Sequence, residues 1–126
     1  TYDGAFVVDL KTTDDVSEAG FRRTIEQRRY NVQAAWYLDI LRDLYGGDAP
    51  QGFAFIAAQK TRPFDVAVHI LTDDQIRLGR LLYQRDEALL LECMRTNTWP
   101  GVDRGRVIET GLSKQAAYQL YELEGS

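Results

Sequence analysis

The stretch from Ala5 to Thr13 constrains the fold more than any other part of the sequence, because its apolar residues run into Asp9-Leu10-Lys11. Alternate residues of a strand point to opposite faces, so we expect Asp9 and Lys11 on one face and Leu10 on the other. The apolar residues predict a strand that is covered on both sides. Charges there need each other, other polar partners or a metal. Taken alone, an ordinary ion pair at a strand end is the simpler interpretation.

The composition is typical of a soluble globular protein. The 126 residues are 44% hydrophobic and 27% charged, which fits a single domain over 1–126. No apolar run reaches the roughly 20 residues that a membrane span needs. The single Cys93 cannot form an intrachain disulfide, so we expect a reducing compartment, the cytoplasm. The net charge of −4 argues against a uniformly basic surface for nucleic acid but allows a local basic groove.

Helix and strand patterns follow one another after the first strand. Asp14 and Asp15 are residues that begin helices, and Glu18 completes a pattern like a capping box. A second helix is predicted over 31–45, ended by two glycines. The remaining predicted elements are a hairpin of strands over 52–59 and 64–71, a helix over 72–97 and a last helix over 113–121. In the helix over 72–97, Leu90 and Met94 are expected in the core.

Two groups of polar residues in the predicted helices are candidates for function. Gln33 and Tyr37 lie one turn apart on one face, and a glutamine bonded to a nearby backbone carbonyl is the simpler alternative. Four arginines crowd the second half of the first helix. They form either a solvated face, with Glu26 as a partner of Arg22, or an edge that binds phosphates. These arginines are Arg22, Arg23, Arg28 and Arg29.

Three segments resemble a known family: Val-Val-Asp-Leu-Lys-Thr-Thr, Arg-Tyr-Asn-Val-Gln-Ala-Ala-Trp-Tyr and Asn-Thr-Trp-Pro-Gly. They look like the PD-(D/E)xK nucleases of the RecE type, the exonuclease VIII group of phage-derived recombination enzymes. The similarity covers about residues 5–102. Asp-x-Lys-Thr followed at this distance by Gln-x-x-x-Tyr is fairly specific for the RecB-like and RecE-like branch. The resemblance implies an α/β restriction-endonuclease-like core, a small mixed sheet flanked by helices.

The resemblance also implies a role for each motif residue. The Asp9 carboxylate and the Leu10 backbone carbonyl would bind Mg²⁺ or Mn²⁺, and Lys11 would orient the attacking water. A metal neutralises charge that develops on the phosphodiester, and oxygen ligands suit Mg²⁺. Gln33 and Tyr37 would hold the site or the DNA backbone, and the four arginines of the first helix are the strongest candidates for contacts with DNA.

The function implied by the resemblance is a metal-dependent exodeoxyribonuclease that resects double-stranded DNA ends for recombination. Such enzymes close into rings, so we expect a homo-oligomer, with a single-strand annealing protein as a further partner and no association with membranes. One alternative is another RecB-like nuclease that acts as an endonuclease. Another is a DNA-binding or assembly module without catalysis.

The sequence departs from the family pattern at its beginning. Members of the family supply a further metal-binding acid from a preceding strand, and often a His or Glu from a helix before it. Asp3 is an even number of residues from Asp9 and so could project to the same side, but Asp3-Gly4 predicts a turn. We therefore interpret the chain as a nuclease domain that lacks its N-terminal strand and helix, with little or no activity by itself.

Overall fold

The architecture is seen in a computed structural model, which describes residues 5–102 and 104–125. The predicted turn at Asp3-Gly4 lies outside the described residues. In chain order the elements are β1 (Phe6–Thr13), α1 (Glu18–Gln27), α2 (Tyr30–Tyr45), a short 3₁₀ turn (Gly46–Asp48), β2 (Gly52–Gln59), β3 (Val66–Ile70), α3 (Asp73–Thr96) and α4 (Lys114–Glu124). The expected α/β fold, a small mixed sheet with helices, is confirmed.

The sheet has three strands in the order β1-β2-β3. β1 and β2 are parallel, and α1 and α2 provide the long crossover that a parallel connection requires. β2 and β3 are antiparallel and form the predicted hairpin. In the β1-β2 register, Asp9 lies beside Phe55 and Lys11 beside Ala57. Within the described part of the chain, β1 is therefore an edge strand that carries the two charged residues.

The core lies between one face of this sheet and the helices α1 and α2. Phe53 and Phe55 of β2 are fully buried. The Phe55 ring meets Phe21 of α1 edge-on, with the ring centroids 6.1 Å apart. Each buried side chain of this kind stabilises the fold by about 1.5–3 kcal/mol. Because neighbours in register share a face, Asp9 projects toward the same helices that cover Phe55.

The opposite face of the sheet is largely open, so the expectation of a strand covered on both sides is wrong for the described residues. Val8 and Leu10 of β1 are 56% and 65% exposed. Val68 of β3, which lies in the same row as Leu10, is 64% exposed. The reason is that the core helices pack on the other face. An exposed apolar row of this kind is typical of a surface that another segment or another protein covers.

The first helix begins later than the sequence predicts. Ser17, not Asp14 or Asp15, is its N-cap, and the Ser17 hydroxyl accepts a hydrogen bond from the Gly20 backbone N–H. The Asp15 carboxylate instead accepts a hydrogen bond from the Ser17 backbone N–H at 2.9 Å. Asp15 and Ser17 are both residue types that commonly cap helices, and here the Ser17 hydroxyl provides the N-cap hydrogen bond.

Helix α3 packs closely on the start of α2. A β-carbon at Gly79 would lie 2.1 Å from the Asn31 carbonyl oxygen, so this approach requires glycine. The Asn31 side chain is buried there and donates a hydrogen bond to Gln75 Oε1 at 3.2 Å. Farther along α3, Leu90 and Met94 are 49% and 62% exposed. Their expected place in the core is wrong.

The chain divides into two compact units, Thr1–Glu92 and Cys93–Ser126. The first contains the sheet and the core described above. In the second, Ser113 caps α4 as predicted, and the helix continues to Glu124. The prediction of a single domain stays a prediction. None of the helices in the described ranges is long and apolar enough to cross a membrane.

Candidate active site

The Lys11 ammonium group is the centre of a cluster between β1 and α2. It lies 2.9 Å from Asp9 Oδ2 and donates a hydrogen bond to Gln33 Oε1 at 3.0 Å. It also sits over the Tyr30 ring, 4.4 Å from the centroid, which is a favourable cation–π distance. The side chains of Lys11 and Asp9 are only 20% and 28% exposed. Strand alternation, which points Asp9 and Lys11 to the helix side, produces this geometry.

Gln33 and Tyr37 are joined by a hydrogen bond along α2. The Gln33 Nε2 group donates to the Tyr37 hydroxyl at 3.3 Å. Lysine only donates, so the Gln33 carbonyl oxygen must face Lys11, and this leaves the amide nitrogen for Tyr37. The three side chains therefore form one chain of hydrogen bonds, in which Tyr37 orients the amide and the amide orients the ammonium group.

Asp9 carries an oxygen atom with unused bonding capacity. Its Oδ2 atom is shielded from solvent, and no described residue donates a hydrogen bond to it, because the Lys11 contact is an ion pair without hydrogen-bond geometry. The Lys11 ammonium group supplies one positive charge at this oxygen. A carboxylate oxygen has two lone pairs, so a further cationic ligand is compatible with Asp9.

The Leu10 backbone carbonyl faces the free edge of the described sheet. The Ala5 and Thr13 carbonyl oxygens accept hydrogen bonds from Gln51 and Lys60, on the β2 side. Carbonyl directions alternate along a strand, so residues of the opposite parity, including Leu10, point away from β2. The Leu10 side chain is on the open face of the sheet, so of its polar groups the carbonyl oxygen is the one that lies at the free edge.

These two oxygen donors suit a divalent cation, but they do not complete a site. Mg²⁺ is commonly bound through one or two carboxylates while it keeps several waters. The described residues contain no group of three or more His, Cys, Asp and Glu side chains that could enclose a metal. Asp9 and Leu10 therefore fit part of a magnesium site of the oxygen-ligand type.

Tyr30 is a member of the cluster that the sequence interpretation missed. It begins α2 and lies three residues before Gln33 and seven before Tyr37. Positions separated by three, four and seven residues share a helix face, so this spacing was the available signal. Its ring also packs on Phe55, with centroids 5.6 Å apart. Tyr30 thus connects the charged cluster to the core.

The four arginines of the predicted DNA-binding edge are divided by the structure. Arg22 pairs with Glu18 one turn earlier on α1, not with Glu26. Arg29 pairs with Asp86 of α3. Arg23 and Arg28 line a polar cleft beside β1. Contact of any of the four with DNA stays a prediction.

A second polar cluster lies on the other side of α2. The Asp39 carboxylate accepts two hydrogen bonds from Arg80, at 2.8 and 2.7 Å, and one from the Tyr83 hydroxyl. Burial by itself raises the pKa of Asp39, but the hydrogen bonds from Arg80 and Tyr83 and the charges of Arg80 and Arg42 outweigh it. The pKa of Asp39 is therefore below its ordinary value of 3.8. This cluster ties α3 to α2 and is structural.

With the geometry established, comparison with known proteins identifies the family. The family described as "PDDEXK-like domain of unknown function (DUF3799)" matches residues 1–106. The chain belongs to this PDDEXK-like family. Asp9-Leu10-Lys11 lies within the matched PDDEXK-like region, as do Gln33 and Tyr37. The predicted PD-(D/E)xK family is thus confirmed, whereas its RecE branch stays a prediction.

A solved structure shares the PDDEXK-like fold. It is the crystal structure of a protein from Eubacterium rectale described as a "Putative exonuclease". The two structures match with a TM-score of 0.65 and 19% sequence identity. The match covers 91% of this chain and 47% of the other, so the chain spans about half the length of that protein. No curated protein matches the sequence.

Proposed function

We propose that this chain carries the active site of a metal-dependent exodeoxyribonuclease of the RecE type, which resects double-stranded DNA ends for recombination. The observation that supports this most is the contact of Lys11 with both Asp9, at 2.9 Å, and Gln33, at 3.0 Å. These residues come from two separate elements within the PDDEXK-like region, and an ordinary strand-end ion pair would not need the glutamine. The family and the Eubacterium rectale fold support a nuclease.

In this proposal the residues divide the chemistry among them. Asp9 and the Leu10 carbonyl hold Mg²⁺ or Mn²⁺, and the metal, when bound, neutralises charge that develops on the phosphate. Lys11 orients the attacking water and favours its deprotonated form, because a positive charge nearby stabilises an anion. Gln33 positions Lys11, and Tyr37 positions Gln33. Tyr30 keeps the ammonium group over its ring.

The metal site needs a further acid, and we propose that it comes from polypeptide outside this chain. Two observations support this. The Eubacterium rectale protein is about twice as long as the matched region, and β1 is an edge strand within the described residues, with the Leu10 carbonyl on its free edge. A strand that pairs with this edge would bring a carboxylate next to Asp9. The 126 residues alone are then expected to have little or no nuclease activity.

The assembly and the DNA contacts belong to the same proposal. We expect a homo-oligomeric ring, because a ring retains DNA without tight contacts and leaves no unpaired interface. The proposed contacts with DNA come from the arginines at 22, 23, 28 and 29, of which Arg22 and Arg29 already hold ion pairs with Glu18 and Asp86. A single-strand annealing protein is the proposed partner, and the cytoplasm is the proposed compartment. Light scattering tests the ring, since the proposal expects a mass of at least three subunits and a monomer contradicts it.

A comparison of linear with covalently closed plasmid tests the reaction. With Mg²⁺, the intact protein should degrade linear duplex from its ends and leave the closed circle whole. EDTA should stop the reaction. Equal cleavage of both substrates would instead favour the endonuclease alternative.

A module that binds DNA without cleavage is the second candidate. The observation in its favour is that the described residues hold no cluster of three metal-binding side chains. The same plasmid assay decides between the two, because such a module would leave both substrates intact with Mg²⁺ and with Mn²⁺ while still binding the duplex.

A further inference from the structure

A polar cleft of about 470 Å³ opens beside the candidate active site. Its wall includes Thr13 at the end of β1, Arg23 and Arg28 from the end of α1, and Lys60 after β2. Tyr30 belongs to the same wall, and its ring centroid is 4.4 Å from Lys11 Nζ. The cleft and the Lys11 cluster are therefore separated by a single side chain.

The arginines of the cleft are available to a ligand, unlike their neighbours. Arg22 and Arg29 are bound in ion pairs with Glu18 and Asp86. Within residues 5–102 and 104–125, neither Arg23 nor Arg28 has an ion pair within 4.0 Å. Two cations without such partners in one concave site form an electrostatic site for anions.

Local backbone geometry explains this division. Successive residues of a helix point about 100° apart, so Arg22 faces Glu18 while Arg23 turns to the cleft. Arg28 is the C-cap of α1, and Arg29 is the N-cap of α2 and adopts the left-handed conformation, with φ of 58°. The chain changes direction between these two residues. Arg28 consequently stays with the cleft, and Arg29 reaches α3.

The carboxylates in the cleft offset part of this charge and leave the site net positive. Asp14 pairs with Lys60 at 3.2 Å. The Asp15 carboxylate accepts the Ser17 backbone N–H at 2.9 Å, and hydrogen bonding with Ser17 together with the nearby charge of Arg23 lowers the pKa of Asp15. Together the cleft has three cationic and two carboxylate side chains, a net positive site on a chain with a net charge of −4. An anionic ligand is favoured over a cation.

We propose that this cleft binds the phosphodiester backbone of the substrate strand, next to the phosphate at Lys11, with Arg23 and Arg28 as the contacts. The inference rests on the proposed nuclease function for the position of the strand, because Tyr30 joins the two sites. Of the arginines at 22, 23, 28 and 29, the inference thus assigns Arg23 and Arg28 to contact with DNA and the other two to ion pairs within the fold. Guanidinium groups bind phosphate through paired hydrogen bonds, which suits this role.

The test measures binding separately from cleavage. A fluorescein-labelled 20-base-pair duplex is titrated with the intact protein in EDTA, and anisotropy gives the affinity at several salt concentrations. Arg23→Gln and Arg28→Gln are compared with the matched variants Arg22→Gln and Arg29→Gln. Circular dichroism confirms the fold of each variant.

The cleft predicts a different result for each pair of variants. Arg23→Gln and Arg28→Gln should each weaken binding about tenfold and reduce the slope of log affinity against log salt by about 0.9, the value for one lost phosphate contact. Arg22→Gln and Arg29→Gln should leave this slope unchanged. Equal effects in all four variants, unchanged slopes in the first pair, or no binding of the duplex by the unmodified protein would overturn the inference. If Arg23→Gln and Arg28→Gln weaken binding but the protein never cleaves DNA, the proposed nuclease function fails, whereas the proposed binding of DNA in the cleft still holds.

Discussion

The Lys11 ammonium group donates a hydrogen bond to the Gln33 side-chain oxygen at 3.0 Å, across 22 positions of sequence. The same amide donates to the Tyr37 hydroxyl at 3.3 Å, so both ends of the Gln33 side chain are fixed. An amide held at both ends keeps the ammonium group in one place. This is the arrangement that a lysine needs when it orients a water molecule, since small displacements of a catalytic group cost much of its effect.

Replacement of Gln33 should therefore reduce activity more than stability. In the intact protein, Gln33→Ala should lower kcat by about 10- to 100-fold with a smaller change in KM, because Lys11 loses its orientation. The loss of two hydrogen bonds at a half-buried position should cost about 1–2 kcal/mol of unfolding free energy. Gln84→Ala, at an exposed position of α3, is the matched control. If kcat is unchanged in Gln33→Ala, Gln33 does not position Lys11.

The position of the Tyr30 ring beside the Lys11 ammonium group leads to a separate prediction. Tyr30→Phe preserves the ring under Lys11 and should retain most of the cleavage rate. Tyr30→Leu removes the cation–π contact, which is worth about 0.5–1 kcal/mol at partly exposed sites, and should reduce the rate several-fold further. Single-turnover rates for the two variants, measured at saturating DNA, provide the comparison. Equal rates would mean that the ring has no role at Lys11.

Asp39 should make stability depend on pH in the acidic range. Its pKa is lower in the folded chain than its ordinary value of 3.8, so the unfolded chain takes up the proton first as the pH falls. The stabilisation is then complete well above pH 3.8 and is lost as the pH falls from there through the folded pKa. At pH 7, Asp39→Asn should cost about 2 kcal/mol, because Arg80 and Tyr83 lose their charged acceptor.

Urea denaturation at pH 7 and pH 3 measures this effect. The difference in unfolding free energy between the unmodified protein and Asp39→Asn should shrink at the lower pH. Asp43→Asn, at an exposed position on the same helix, controls for the loss of one charge. A difference that is the same at both pH values would show that the Asp39 carboxylate is not stabilised by its ionised partners.

The close contact between α2 and α3 predicts that a larger residue at Gly79 destabilises the fold. In Gly79→Ala the new β-carbon would lie 2.1 Å from the Asn31 carbonyl oxygen, so the helices must separate. Overpacking of this kind costs about 1–3 kcal/mol, which exceeds the gain of about 1 kcal/mol from alanine in a helix. Gly47→Ala is the control, because no atom lies within 4 Å of its added β-carbon. A higher melting temperature for Gly79→Ala would contradict this close packing.

Local patterns predicted much of the fold. Strand alternation placed Asp9 and Lys11 on one face, and helical spacing placed Gln33 and Tyr37 on one face of α2. The hairpin and the Ser113 cap could also be predicted, because each depends on neighbours in the sequence. The mixed sheet, whose parallel pair joins distant residues, was predicted from the family resemblance. The PD-(D/E)xK family followed from the motif residues.

The remaining features depend on contacts between distant residues. The Arg29–Asp86 ion pair joins positions 57 residues apart, and no spacing rule predicts it. Tyr30 had the correct helical spacing, but its place under Lys11 is set by packing against Phe55. The helical spacing of apolar residues places Leu90 on an apolar face of α3, but this spacing cannot show whether another element covers that face. Both the site and the limits of the core are therefore properties of tertiary packing.

Substitution of Lys11 is the most direct test of the proposed active site. Single-turnover cleavage of a linear duplex with Mg²⁺ is measured for the intact protein, for Lys11→Met and for Lys114→Met, which changes an exposed lysine of α4. We predict that Lys11→Met reduces the rate by about 10²-fold or more while DNA binding persists, and that Lys114→Met cleaves at the rate of the unmodified protein. Equal rates for the two variants would contradict the assignment of Lys11 to catalysis.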